Sequence, residues 1–460
     1  MQVAELSGYN VHPAQDRKAM LESIGAPDIE ALFAAIDPSV RLKRPLNLPA
    51  PLTEWALQRH FRNLAAQNQT SETMACFLGG GAYEHYIPET VRSIASRGEF
   101  LTAYTPYQPE MSQGILRVLF DFQTLMARLL GLPSVNCSVY DGATALAEAA
   151  WMTCRIRGHK RLVVASTLWP DYLEVLQTYM KGRSVEIELV PECNDRGQLD
   201  GDALKACLSH SPTAGVLIQS PNRYGIVERL PESIETIHQA EALAVVSCYP
   251  VSLGCLRSPG SLGADIVCAE AQSLGLELNA GGPYLGAIAT REAFEGHLPG
   301  RIVGECRDLK GEPALALVKE EREQHVARHE ATSHICSNQA LLALRATVHL
   351  ATLGEQGFRR VADLCAAKAH YLKERLTALD GVDCPKSGPT FNEFLLRLPV
   401  SSATFLKLME AQGTFAGIDF SRLDPNYPQH ILVAVTEVKS KSDLDTYVDR
   451  FQRALAQLSQ

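Results

Sequence analysis

Between residues 160 and 290 six short apolar runs recur: RLVVAS (161–166), VEIELV (185–190), AGVLIQS (214–220), ALAVVSC (242–248), ADIVCAE (264–270) and YLGAIAT (284–290). They are rich in Val and Ile and show no polar alternation, the pattern of strands buried on both faces of a mostly parallel sheet. The segments between them are long enough to form crossover helices. Together they predict an α/β layer architecture with a large, mostly parallel sheet.

The flanks read differently. Residues 1–75 form a helical and extended arm in this reading. Ile29, Leu32, Phe33 and Ile36 repeat at helical spacing after Asp28 as a cap. The stretch RPLNLPAPL (44–52) carries Pro45, Pro49 and Pro51 and reads as extended chain lying on another surface. A helix is expected over 112–130, with Ile115, Val118, Leu119, Phe122, Leu125, Met126 and Leu129 on one stripe and Gly131 and Pro133 as its stop. The large α/β domain is then 76–330, and 331–460 a smaller C-terminal α+β domain. That smaller domain has a helical region near 335–380, strands in FNEFLLRLP (391–399) and HILVAVTE (430–437), and a closing helix from Ser442.

The net charge of −9 argues against a nucleic-acid or anionic-membrane partner. No apolar run approaches the roughly 20 residues of a membrane span. MQVAELSGYNVHPAQDRKAM lacks the apolar core of a secretory signal and reads as mature sequence, with the cytoplasm as the default location. The twelve cysteines form no CxxC pair, and several sit in apolar runs, so reduced and mostly buried thiols are expected.

Four local features bear on chemistry. FLGGGAYEHYIPETV (77–91) leads to GEFLTAYTPYQPEMSQG (98–114), in which Tyr104, Tyr107, Gln108 and Glu110 stand on a rigid, proline-punctuated segment. Such a segment can line an active site or pack as an ordered loop against a neighbour. SVYDGATALAEAAWMTCR (138–155) enters an Ala-rich helix through small residues, a geometry that suits a phosphate but is common in purely structural helices. His325 and His329, with Glu321 and His334 nearby, have zinc-like spacing, but the surrounding charges indicate a solvated face and no metal is expected. No lysine occurs between Lys205 and Lys310; after ADIVCAE stand Gln272 and Ser273. The run ALAVVSC ends in Cys248, Tyr249 and Pro250, with no acid. Cys336, in ATSHICSNQALLAL (331–344), reads as a packed thiol in preference to a redox or contact residue.

FLGGGAYEHYIP, EFLTAYTPYQPEMSQG, YDGATALAEA, QSLG with GGPYLG, GRIVGE, and REQH with ATSHICSNQALLAL occur here in that order. Together they resemble glycine decarboxylase, the P-protein of the glycine cleavage system. The resemblance runs from about residue 5 to the C-terminus and is narrower still to subunit 1, the alpha or N-terminal half. It implies a type I aminotransferase-like fold of pyridoxal-phosphate enzymes and an α₂β₂ assembly with glycine dehydrogenase subunit 2. In that assembly the β subunit binds the cofactor covalently. It also implies the reaction: glycine loses carbon dioxide with the cofactor ring as electron sink, and the aminomethyl group passes to the lipoyl arm of the H-protein.

A pyridoxal-phosphate enzyme needs a lysine amine and a carboxylate for the pyridinium nitrogen. Gln272 and Ser273 stand where the amine belongs, and Cys248-Tyr249-Pro250 where relatives can carry Asp-Pro. LGLELNAGGPY replaces an expected NPLSFGGPY-like string. By resemblance, Tyr104 and Tyr107, supported by Gln108 and Glu110, are the contributors to a shared site; none is expected to do covalent chemistry. The competing readings are a cofactor enzyme acting alone, a scaffold that never reaches the active site, and a metal enzyme using the histidines.

Overall fold

A computed structural model describes residues 11–104, 106–279 and 281–458. The chain divides into two compact units, 1–68 and 69–460. The first ten residues, part of the expected arm, lie outside the described residues, as does Thr105 within the tyrosine motif.

In the first unit, helix α1 (Ala14–Ile24) stops at Gly25, whose φ of 71° is left-handed. Helix α2 (Glu54–Ala65) starts on Thr53, whose side chain accepts from Ala56 N at 3.3 Å. The expected helical stripe through Ile29 and Ile36 is only a single 3-10 turn, Glu30–Phe33, and all four apolar residues are exposed. Asp28 does cap it, accepting from Ala31 N at 2.8 Å. No described residue of 11–68 is buried.

The second unit is built on a seven-stranded sheet. Its strands are β1 (Ser134–Val135), β2 (Arg161–Ala165), β3 (Glu186–Val190), β4 (Gly215–Ser220), β5 (Leu243–Cys248), β6 (Ile266–Glu270) and β7 (Gly286–Thr290). Their spatial order is β1-β7-β6-β5-β4-β2-β3. Strands β6 to β3 in that order are parallel, and β7 runs antiparallel to both its neighbours. Strands β2, β4, β5, β6 and β7 are buried throughout, as their unbroken apolar runs require. VEIELV differs: β3 is the sheet edge, with Leu189 49% exposed, because its outer side has no neighbour to cover it.

Helices cover both faces. Helix α3 (Gln113–Leu130) buries Leu116, Leu119, Phe122, Met126 and Leu130 against the face carrying Val163, Val216, Val246 and Val267. Helix α4 (Gly142–Arg157) is buried along most of its length against the other face, with Val164, Leu217, Val245 and Ile288. Its run of alanines permits that close approach. GRIVGE forms one arm of a hairpin, β8 (Val303–Arg307) with β9 (Pro313–Leu317). Helix α5 (Ala340–Thr377), broken at Gly354, leads to a three-stranded antiparallel sheet of β10 (Glu393–Arg397), β11 (Ile418–Asp419) and β12 (His430–Ala434). Helix α6 (Lys441–Leu458) closes that sheet with Leu444, Tyr447, Val448 and Phe451. No helix among the described residues is long and apolar enough to cross a membrane.

Candidate functional site

In an open parallel sheet, ligands bind beyond the C-terminal ends of the strands. Here β4 ends at Ser220, β5 at Cys248 and β6 at Glu270, and the first turn of α4 meets Glu270. The arriving loop is FLGGGAYEHYIP. Two of its three glycines are closely packed: a Cβ on Gly79 would fall 2.1 Å from Glu393 Oε1. One on Gly80, where φ is +80°, would fall 2.7 Å from Ile418 Cδ1.

A continuous hydrogen-bonded chain crosses this position. Glu270 Oε2 accepts from Gly142 N at 2.8 Å, and its Oε1 accepts from Gln272 N at 2.9 Å and Leu285 N at 3.2 Å. The Gln272 side chain accepts from Tyr83 N at 2.9 Å and donates to Tyr83 O at 3.0 Å and Leu276 O at 2.9 Å. The Tyr83 hydroxyl donates to Glu393 Oε2 at 3.0 Å, and Glu393 Oε1 accepts from Gly80 N at 2.8 Å. Gln272 has no exposed surface. Burial pushes the Glu270 carboxyl up to about 8 against the pull of its three amide donors, and Asp141 pushes it the same way. Burial likewise raises Glu393 to about 7, moderated by Gly80 N–H and the Tyr83 hydroxyl.

Beside this chain, Tyr249 fills space between Tyr83 and Phe391, with ring centroids 4.5 and 5.9 Å away. Its hydroxyl bonds to His85 Nε2, and His85 Nδ1 pairs with Glu437 Oε2 at 2.7 Å. Burial pulls the Glu437 carboxyl up, but His85 and backbone amides overcome it and hold it down at about 2. Burial lowers nearby His349 to about 4, helped by the charge of His85. The donor atoms of His85, Cys365 and Glu437 lie within 4.8 Å of one another. Hydrogen bonds already join all three, with Cys365 Sγ donating to Glu437 Oε2 at 3.4 Å.

These residues do not fit pyridoxal phosphate. Gln272 and Ser273 offer no amine, and the Gln272 amide is committed on both ends to the loop. Cys248, at the end of β5, is a thiol that burial pushes up to about 12, so it cannot supply the anion a pyridinium needs. The first-turn amide that would receive a phosphate is taken by Glu270, and Asp141, as the N-cap, accepts from Thr144 N at 2.7 Å.

The sequence-derived contributors lie elsewhere and are not brought together as a group. Tyr104 is 95% exposed. Tyr107 is half-buried: its hydroxyl donates to Asn338 Oδ1, and the Arg301 guanidinium lies 4.3 Å from its ring centroid. Asn338 in turn donates to Cys137 O at 2.7 Å and Ser138 Oγ at 3.1 Å, which ties Tyr107 to the turn entering α4. Gln108 and Glu110 are exposed, and Gln108 acts through its carbonyl, which accepts from Ser112 N at 2.9 Å. His325 pairs with Glu320 and Glu323, His329 with Glu330, and His334 with the Arg328 carbonyl, so the three do not converge. Cys336 is exposed, and its carbonyl accepts from Arg301.

Sequence reasoning missed Glu270, Glu393, Tyr83, His85 and Glu437. Only Glu270 left a trace, as a carboxylate ending an otherwise apolar strand, and the motif carrying Tyr83 and His85 was noted for its glycines.

The sequence model of the glycine cleavage system P-protein family matches residues 9–451. A protein of Moorella thermoacetica named as a glycine dehydrogenase (decarboxylating) subunit 1 is 45% identical over 443 residues, covering 96% of this chain and 98% of that one. One of the same name from Thermomicrobium roseum is 43% identical, covering 97% and 100%. The crystal structure of a glycine decarboxylase (P-protein) in inhibitor-bound form superposes with a TM-score of 0.89 at 38% identity, over 97% of this chain and all of that one. A sphingosine-1-phosphate lyase of Burkholderia pseudomallei matches with a TM-score of 0.63 at 13% identity, over 92% and 94% of the two chains, a likeness of fold alone. The expected α/β, type I aminotransferase-like fold is therefore borne out, and the chain belongs to the glycine cleavage system P-protein family.

Proposed function

We propose that this chain is the non-anchoring subunit 1 of a two-part glycine decarboxylase. It works in the cytoplasm in an α₂β₂ assembly with glycine dehydrogenase subunit 2, whose lysine holds pyridoxal phosphate. The complex decarboxylates glycine, releases carbon dioxide and passes the aminomethyl group to the lipoyl arm of the H-protein. The observation that carries this reading is the buried Gln272 amide, locked to Tyr83 and Leu276 where an anchoring enzyme needs a free amine. Family membership and the full-length similarity to subunits 1 support the activity.

Within that assembly the 1–75 arm, the 76–330 large domain and the 331–460 small domain are the proposed parts. Tyr104, Tyr107, Gln108 and Glu110 are the proposed lining of the shared cleft. A tyrosine as exposed as Tyr104, carried on the segment that Tyr107 pins through Asn338, supports a role in positioning substrate and excluding water. The bound cofactor in the partner supplies the electron sink.

The test is co-expression with the β subunit, assayed by glycine-dependent carbon dioxide exchange with each subunit omitted in turn. Exchange requires both. Tyr104→Phe lowers turnover with assembly intact; unchanged turnover favours the scaffold reading. A Schiff-base absorbance in this chain alone would overturn the proposal.

A further inference from the structure

We propose that the Glu270 carboxyl is a built-in occupant of an oxyanion cradle at the entrance to α4, and so closes that site to phosphate from outside. The inference does not depend on the glycine reaction.

The cradle is assembled from three separate places in the chain. Gly142 N, from the first turn of α4, lies 2.8 Å from Glu270 Oε2; Gln272 N and Leu285 N lie 2.9 and 3.2 Å from Oε1. Backbone donors on a sixteen-residue helix and two loops thus converge on one buried carboxyl, an arrangement otherwise used for phosphate. One further hydroxyl stands at the site, and a second belongs to the residue after the Gln272 amide donor. The Tyr172 phenol is so close that a Cβ on Gly142 would lie 2.4 Å from its oxygen. The Ser273 hydroxyl is 2% exposed and has no hydrogen-bond partner among the described residues. A buried hydroxyl that folding has left unpaired is a donor or acceptor without a ligand.

Gly142 is itself part of the design: a Cβ there would lie 2.7 Å from Glu270 Cβ, so only glycine lets the carboxylate reach the helix amide. Removing the Glu270 side chain leaves three free N–H groups beside the Tyr172 phenol. That surface is donor-rich, and the neighbouring Asp141 carboxylate is already committed to Thr144 N as the helix cap. A tetrahedral oxyanion meets its demand.

The experiment uses the full chain and inorganic phosphate, read by phosphorus NMR line broadening and by melting temperature, with chloride at equal ionic strength as control. Wild type is expected to show no phosphate-specific response. E270A is expected to bind phosphate with an affinity about tenfold or more above wild type, and its melting temperature to rise with phosphate but not chloride. E270Q, which keeps the cavity filled, is expected to behave as wild type. Equal phosphate responses in wild type and E270A, or a folded E270A with none, overturn the proposal. If E270A does not fold unaided, refolding yield in phosphate against chloride becomes the readout. Rescue by phosphate supports the cradle, and equal yields refute it.

Discussion

Gln272→Leu tests the central physical claim, that a buried amide latches the glycine-rich loop onto the end of the sheet. The change conserves volume closely and leaves the Gln272 backbone bond to Glu270 in place. It deletes three side-chain hydrogen bonds of 2.9, 3.0 and 2.9 Å, to Tyr83 N, Tyr83 O and Leu276 O. An orphaned buried N–H costs about 2 kcal/mol, and the two weakened carbonyls about 1 kcal/mol each. The added apolar burial of leucine returns about 1 kcal/mol. The net loss is about 3 kcal/mol, concentrated at the loop. Read by hydrogen exchange, it accelerates the Tyr83 amide by roughly 100-fold if exchange proceeds through local opening. Peptides covering residues 77–91 report the change, and a peptide over β4 serves as the internal control. Exchange at Tyr83 within about twofold of wild type would refute the latch.

Two further outcomes follow from the same region. Ser273→Lys, incubated with pyridoxal phosphate, develops no Schiff-base absorbance, because Glu270 still fills the amide cradle; a stable visible band would show that the cofactor site is intact apart from its amine. Glu148, on α4, has an Oε2 with no hydrogen-bond partner among the described residues, and burial raises its carboxyl to about 7. The native state then holds this proton more tightly than the unfolded chain, so the contribution is full below about 4.5 and is lost as pH rises towards 7. At about 1.4 kcal/mol per pH unit this sums to about 3 kcal/mol. Glu148→Gln should therefore gain stability relative to wild type between pH 4.5 and 7.5, measured by urea titration. Glu270 and Glu393 slope the same way in both proteins, and His349 opposes them below 6.5. A pH-independent difference would count against a carboxyl raised by burial.

The fold was largely readable because unbroken Val and Ile runs report burial directly, and five of the six expected strands are buried throughout. The same signal carries no direction, so YLGAIAT gave no hint that β7 runs against its neighbours. Nor does it distinguish an edge, which is why VEIELV was misjudged. The stripe through Ile29 and Ile36 has helical spacing without the length or packing that stabilises a helix. The absent lysine was legible as chemistry. Gln272 in its place was legible too, but its bonding was not: Tyr83 and Gln272 are 189 positions apart, and no local pattern encodes a bond across that distance.

Helix α5 has a mechanical consequence for residues 69–460. Phe358, Ala362 and Cys365 are rooted beneath the seven-stranded sheet, while Ala369, Leu372 and Leu376, on the same uninterrupted rod, anchor the three-stranded one. Its one break, at Gly354, falls before both groups, so bending there cannot swing one half against the other. A jaw needs a free joint, and between these two sheets stands a strut instead. Within residues 69–460 the two sheets are thus held as one piece, and no relative motion between them can come from this helix.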